Sequence, residues 1–338
     1  MSALKTGCDM AYVFTSASAA AVIKGYSPEL MVLPDLPEQP TLPMLGNLTA
    51  AVLGPTGQPT EQQLRVCVGG EDDTALMQRA VDGAHARLRP WLSRCTVVVV
   101  GPGLGDDPWV NATAARLIAT AREMGLPLLV DGSGINIIVQ NPGLVRGYSR
   151  CVLTPNLAEL GRLAASVGKP LPGRIGVDWQ QHVVQIAKDF GGPVVVSKGP
   201  TDIISNGSST LVCSSESAPR RSGGQGDVLA GSISTFVGWA ASHPDFSPQL
   251  GTLHQPLHNT SHPDTSAAAG LGTPTPTTPP GSQPQESHSE PGRTAGRDAG
   301  CTLTRSAAMA AYEQQGRALL AGDILQHIPQ SFRETFGK

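Results

Sequence analysis

The sequence predicts an α/β fold with a mainly parallel central sheet, on three observations. Short β-branched apolar runs recur at Thr96–Val100, Leu126–Val130, Cys151–Thr154 and Pro193–Ser197. They are too continuous to leave one face in water, which is the pattern of strands covered on both sides. Between them lie stretches with apolar residues at helical spacing, so the chain alternates strand, loop and helix.

In chain order, Leu30–Leu33 is a short strand and residues 74–92 form a helix. Thr96–Val100 is a buried strand, followed by the loop Gly101-Pro102-Gly103-Leu104-Gly105 and a helix over roughly 108–124. Leu126–Val130 is the next strand and ends at Asp131. Cys151–Thr154 is another, followed by Pro155-Asn156 and a helix carrying Glu159 and Leu163. Residues 178–190 form a helix, and Pro193–Ser197 a strand that ends at Lys198-Gly199. In open parallel sheets ligands bind beyond the carboxyl ends of the strands. That rule gathers Gly101–Gly105, Asp131, Thr154–Asn156 and Lys198–Gly199 on one edge.

The run Arg221-Ser222-Gly223-Gly224-Gln225-Gly226-Asp227 faces that edge and leads into the apolar Val228-Leu229-Ala230-Gly231. Glycines let backbone amides approach an anion closely. A helix N-terminus adds unpaired N–H groups and the positive end of a dipole, which suits a phosphate in transfer. Asp227 is then a carboxylate beside an anion hole, able to accept a hydroxyl proton. The run is not a Walker loop, and a glycine turn with Asp227 as helix cap is the alternative. The other candidates have similar alternatives. Gly101–Gly105 lacks the full spacing of a dinucleotide fingerprint. Asp131 either orients a ligand or caps a turn, and Asn156 with Glu159 also has the spacing of a capping box. Lys198-Gly199 either holds a phosphate or forms a strand-exit turn.

Composition narrows the class. The 338 residues allow one large or two ordinary domains. A net charge of −3 with 15% charged residues argues against a nucleic-acid surface. The cysteines Cys8, Cys67, Cys95, Cys151, Cys213 and Cys301 lie far apart and several sit in apolar runs, so they read as reduced core thiols of a reducing compartment. No run approaches the ~18 apolar residues of a membrane span, and no secretory signal or Arg-rich transit peptide is evident. The expectation is a soluble intracellular protein. Residues 242–300 stand apart, rich in Pro, Ser, Thr, Gly and His. Apolar residues there are too sparse to offset the entropy of ordering, so a disordered insertion is expected. His243, His254, His258, His262 and His288 fall in it at irregular spacing and read as a polar linker rather than a metal site.

The ordered set G-P-G-L-G (101–105), V-D-G-S-G (130–134), L-T-P-N-x-x-E-L (153–160), V-S-K-G-x-x-D-I-I-S (196–205) and R-R-S-G-G-Q-G-D-V-L-A-G (220–231) resembles the ATP/ADP-dependent NAD(P)H-hydrate dehydratase family. The stretch Ser2 to Leu30 and the pattern from Cys301 to Arg305, with Gly316, Arg317, Asp323 and Ile324, fit it too. The resemblance implies a ribokinase-like three-layer α/β/α fold, with residues 1–241 and 301–338 forming one domain around the 242–300 insertion. It implies an enzyme that repairs NADHX and NADPHX, nicotinamide cofactors carrying a hydroxyl on the reduced ring. ATP phosphorylates that hydroxyl, and loss of phosphate restores NADH or NADPH.

The resemblance also assigns residues. Asp227 is the implied general base, with Gly223, Gly224 and Gly226 stabilising the transferred group. The implied ATP-binding segments are Lys198, Gly199, Pro200, Thr201 and Asp202, and Ser217, Ala218, Pro219, Arg220, Arg221, Ser222, Gly223, Gly224, Gln225 and Gly226. The implied NAD(P)HX-binding residues are Gly105, Asn156, Leu157, Ala158, Glu159, Leu160, Gly161 and Arg162, together with Asp227. A magnesium ion bridging the nucleotide phosphates, an NAD(P)HX epimerase acting alongside, homo-oligomers and a cytoplasmic or mitochondrial setting are implied as well.

Three departures from the family pattern stand out. The family's earlier strand and its glycine-rich Y-T-G-A-P-type segment are expected before Ser2. The family's D-x-D-G reads Asp131-Gly132-Ser133-Gly134, and Leu157 stands where a histidine is common. A ribokinase-like small-molecule kinase and a truncated isoform that binds nucleotide without turnover are the alternative readings.

Overall fold

The structure, a computed structural model, describes residues 1–40, 73–171, 178–242 and 292–337, with the backbone alone over 292–296. A short helix, α1 (Ser2–Thr6), leads into β1 (Ala11–Ser16), which pairs in parallel with β2 (Leu30–Leu36) across α2 (Ala17–Lys24). After α3 (Asp73–Leu92) comes a six-stranded sheet with strands in simple sequence order. Its strands are β3 (Val98–Val100), β4 (Leu128–Val130), β5 (Cys151–Leu153), β6 (Val194–Ser197), β7 (Asp202–Ser205) and β8 (Thr210–Cys213). The pairs from β3 to β6 are parallel, and those joining β6, β7 and β8 are antiparallel.

Parallel neighbours need crossovers, and crossovers of one hand in one direction put their helices on one face. Those helices are α4 (Pro108–Glu123), α5 (Ser133–Gln140), α6 (Leu157–Ser166) and α7 (Trp179–Phe190). The main core lies beneath them and takes Leu128, Val130, Cys151, Leu153 and Val195 from the strands. The alternate strand residues, Leu129, Val152, Val194 and Val196, point the other way. They pack against α8 (Gln225–Ser242) and Cys301 of α9 (Gly292–Gln315). A third core, which includes Phe236 and Leu303, joins α8 and α9 to α10 (Ala321–Phe336). Three layers result, as the sequence resemblance implied.

Helix α9 runs back along α8 in the opposite direction. Gly300 lies directly against the Ile233 backbone, and Arg305 further along reaches the loop beside the start of α8. This corrects the far boundary of the expected insertion. Helix begins at Gly292, and Ala299, fully buried, belongs to the third core, so residues 292–300 are part of the fold. The five linker histidines and Cys67 lie outside the described residues. The other cysteines are free thiols. Burial pushes the Cys151 thiol up to about 12, so it packs as an apolar group. Among the described residues no helix is long and apolar enough to cross a membrane.

Strand β4 starts at Leu128 rather than Leu126, because Pro127 has no N–H for the ladder and offers only its carbonyl, to Val98. Helix α5 was not legible as one, since its start is the glycine-rich Asp131-Gly132-Ser133-Gly134. It forms because Ile135, Ile137 and Ile138 find buried positions in the sheet's helical layer.

Candidate active site

The site begins with a buried carboxylate. Asp131 follows β4 and is 2% exposed. Its Oδ1 accepts hydrogen bonds from Lys198 Nζ at 2.5 Å and from Thr154 Oγ1 at 2.7 Å. Lys198 leaves β6 and its backbone N–H donates to Pro155 O at 3.0 Å, while the Asp131 N–H donates to Val100 O at 3.0 Å. The exits of β3, β4, β5 and β6 are thereby tied into one cluster at the carboxyl edge. Gly101 makes this possible: its φ is +121°, and a Cβ there would lie 1.7 Å from Asp131 O. Any side chain at 101 would push the Asp131 backbone out of place.

The glycine turn closes over this pair. Helix α8 starts at Gln225, which puts Asp227 in its first turn. Gln225 ties the turn to what precedes it, accepting from the Ser222 N–H at 3.2 Å and donating to Arg220 O at 3.4 Å. Gly224 has φ +86°, and a Cβ there would lie 2.9 Å from the Ala321 Cβ at the start of α10. A Cβ on Gly226 would stand 3.4 Å from Lys198 Nζ and 3.6 Å from Asp131 Oδ2. The first turn of α8, with the positive end of its dipole, therefore sits over a lysine and a carboxylate. Ser222 Oγ is buried and has no hydrogen-bond partner among the described residues.

Asp227 opens to solvent at the mouth of this cluster, and Ser2 Oγ donates to its backbone carbonyl at 3.2 Å. Partial burial pushes its carboxyl above the usual aspartate value; the Asp131 charge adds to the rise and the Lys198 ammonium opposes it. A carboxylate held this way is a better proton acceptor than a free one, and the lysine and the helix amides beside it favour an anion. The arrangement suits transfer of an anionic group to a hydroxyl that loses its proton to Asp227.

Of the candidates read from sequence, Asp131, Lys198, Gly226 and Asp227 come together. The Lys198–Asp202 turn is held from within, since Asp202 Oδ1 accepts from the Gly199 N–H at 3.0 Å. Burial raises the Asp202 carboxyl, and the Gly199 N–H and Arg305 pull it back. Pro200 and Thr201 are exposed on this turn. Ser217, Ala218, Pro219, Arg220 and Arg221 form the approach to the glycine turn, with Ala218 packed on the third core. Gly105 lies exposed in the loop after β3.

Asn156 and Glu159 form a capping box at the start of α6: Asn156 Oδ1 accepts from the Glu159 N–H at 3.0 Å and Glu159 Oε2 from the Asn156 N–H at 2.8 Å. Leu157, Ala158 and Arg162 are exposed, Gly161 half-buried, and Leu160 fully buried in the main core. Sequence reasoning did not find the role of Arg305, which bonds the Lys198–Asp202 turn from α9. It stood inside the C-T-L-T-R pattern, but no spacing shows that α9 passes beside β6 and β7. Among the described residues no group of three His, Cys, Asp or Glu could hold a metal ion.

Comparison with known proteins bears on this geometry. Residues 71–263 match the family model described as NAD(P)H-hydrate dehydratase. The chain is 31% identical over 338 residues to a Phaeosphaeria nodorum protein named ATP-dependent (S)-NAD(P)H-hydrate dehydratase, covering 100% of this chain and 83% of that one. A Bos taurus protein of the same name is 30% identical over 339 residues, covering 99% and 77%. Among solved structures, a ribokinase-like superfamily protein from Enterococcus faecalis superposes with a TM-score of 0.55 at 15% identity, over 100% of this chain and 81% of that one. The ADP/ATP-dependent NAD(P)H-hydrate dehydratase of Bacillus subtilis co-crystallised with ATP/Mg2+ gives 0.53 at 14% identity, over 99% and 82%. The structural likenesses establish the ribokinase-like fold. The family match spans more than half of the sequence and the fungal likeness all of it, so the chain belongs to the NAD(P)H-hydrate dehydratase family.

Proposed function

We propose that this chain dehydrates the S-forms of NADHX and NADPHX at the expense of ATP, restoring NADH and NADPH. The observation that carries the reading is the Asp227 carboxylate in the first turn of α8, set over the Lys198–Asp131 pair. The ring hydroxyl of the hydrate lies against Asp227, which accepts its proton as the oxygen attacks the γ-phosphorus of ATP. ADP leaves with the electron pair of the broken P–O bond. Lys198 and the amides of Gly223 to Gly226 face the charge that gathers on the transferred phosphoryl group. Hydroxide is a poor leaving group and phosphate a good one, so the phosphorylated hydrate loses phosphate and a ring proton to regain the double bond. The sum is hydrate and ATP in, reduced cofactor, ADP and phosphate out.

Magnesium fits this donor set as an ion carried in on the nucleotide. Such an ion keeps several waters and takes one or two carboxylates besides phosphate oxygens. Asp131 Oδ2 and Asp227 are the carboxylates in place, with no closed protein cage around them among the described residues. When bound it supplies neutralisation of phosphate charge. Pro200, Thr201 and the approach from Ser217 to Arg221 line the nucleotide side, and Gly105 with the start of α6 the hydrate side. An enzyme acting on one epimer leaves the other, so an NAD(P)HX epimerase is the companion activity, in the cytoplasm or mitochondria where both cofactors work.

The test is incubation of the chain with NADHX and ATP, following the return of NADH absorbance. Recovery is expected with the wild-type chain and a loss of roughly 100-fold or more in rate with Asp227→Asn, ATP binding being kept. A stable phosphorylated product would make it a small-molecule kinase instead, and ATP binding with no turnover would sink the dehydratase reading.

A further inference from the structure

Arg305 makes four hydrogen bonds beside the site, and the proposed chemistry leaves it without a role. From α9 its guanidinium reaches two separate loops. Nε donates to Ser215 O at 2.6 Å, where the chain leaves β8 toward the glycine turn. Nη1 donates to Gly199 O at 3.4 Å and to Asp202 Oδ2 at 3.2 Å, and Nη2 donates to Pro200 O. Three carbonyls and a carboxylate are held by one rigid fork of donors, which a lysine ammonium on a flexible stem cannot reproduce. The pair is closed off from solvent: the Arg305 side chain is 11% exposed and that of Asp202 7%.

Burial and pairing decide what kind of role this is. Directed at Asp202 and at backbone oxygens, the Arg305 charge is not presented to an incoming phosphate. Its effect must pass through what it holds. One object is the Gly199–Asp202 turn, which follows directly from Lys198, the lysine at the glycine turn. The other is Ser215, at the head of the segment that runs to Gly226. The turn is tight in its own right, since a Cβ on Gly199 would lie 2.9 Å from Thr201 O and 3.1 Å from the Trp179 ring. Without the guanidinium, the Gly199, Pro200 and Ser215 carbonyls lose a shared donor and the Asp202 carboxylate loses its counter-charge.

We propose that Arg305 is a positioning residue for nucleotide binding: it locks the Lys198–Asp202 turn to the Ser215 segment, so that both walls of the ATP site are set before ATP arrives. The inference rests on the reading of these segments as nucleotide-binding. It places a determinant of ATP affinity on α9, away from the glycine motif.

The experiment uses the full chain and measures ATP affinity by direct binding titration, with KM values for ATP and for NADHX alongside. Arg305→Met is expected to weaken ATP binding roughly 10- to 100-fold, the worth of buried hydrogen bonds to a charged group. Arg305→Lys should fall between. The KM for NADHX should stay within about 2-fold in both, because additive effects are local to the groups removed. Asp202→Asn should weaken ATP binding as well, and the double variant should be less than additive. Should Arg305→Met fail to fold, Arg305→Lys and Asp202→Asn carry the test, each checked by its unfolding midpoint. Unchanged ATP affinity in a folded Arg305 variant would overturn the proposal. So would an equal loss of affinity for both substrates, which marks a general loosening of the fold. A wild-type chain that binds no ATP would overturn the nucleotide reading itself, a result distinct from either.

Discussion

Asp227 is where a single residue's environment sets the chemistry. Its carboxyl is raised by partial burial first and by the Asp131 charge second, against the pull of Lys198. In the proposed role Asp227 works deprotonated, so activity is expected to fall as pH drops through a value above the ordinary aspartate range. Asp131→Asn removes the like charge and also frees Lys198, and both changes favour the ionised Asp227. The acid limb of kcat/KM is therefore expected to move to lower pH in Asp131→Asn, measured as a pH–rate profile; a limb that stays put would mean that another group titrates there. The same shift bears on stability. A raised folded-state value means the folded protein binds more protons in that window, so stability declines as pH rises through it. Asp227 and Lys198 were legible as motif residues. The Asp131–Lys198 bond was not, because the partners lie 67 residues apart and meet only through the order of the strands.

Elements show the local work that a motif residue does. Asn156 and Glu159 were open between substrate contact and helix cap, and the capping box is formed. Asn156→Ala should cost about 1 kcal/mol of stability, while Asn156→Asp keeps the cap and most of that stability. Thermal unfolding checks this. A rise in the KM for NADHX in Asn156→Asp, with stability kept, would show that the residue also meets substrate. The parallel strands were readable because each is a continuous apolar run; β4, β5 and β6 are buried on both faces, while β3 leaves Val99 exposed. The β7–β8 hairpin was not: Asp202–Ser205 and Thr210–Cys213 are short, polar at their ends, and joined by an Asn206 turn whose side chain accepts from the Ser208 and Ser209 N–H groups. Such strands exist because Ile203 and Ile204 extend the two cores on either side of the sheet, which local pattern does not reveal.

For the whole molecule, order of motifs carried more than any motif alone. Five short segments in sequence identified the fold, while α9 and α10 entered the site unannounced, as the Arg305 clamp and the Ala321 contact at Gly224. The antiparallel packing of α8 against α9 has a measurable consequence. Replacing residues 243–291 by a short Gly/Ser linker should leave the unfolding midpoint and kcat near wild type, since each halving of a connection's length changes closure entropy by only ~0.6 kcal/mol. Loss of folding on that replacement would show that the segment contributes to the core.

Helix α8 has 18 residues, so its exit lies about 27 Å from the first turn that carries Asp227. Because α9 runs back along α8 from that end, the connection between the two helices is a distal port, at the opposite end of α8 from Asp227. It is the natural place to graft a reporter or to split the enzyme into two fragments that regain activity on reassembly.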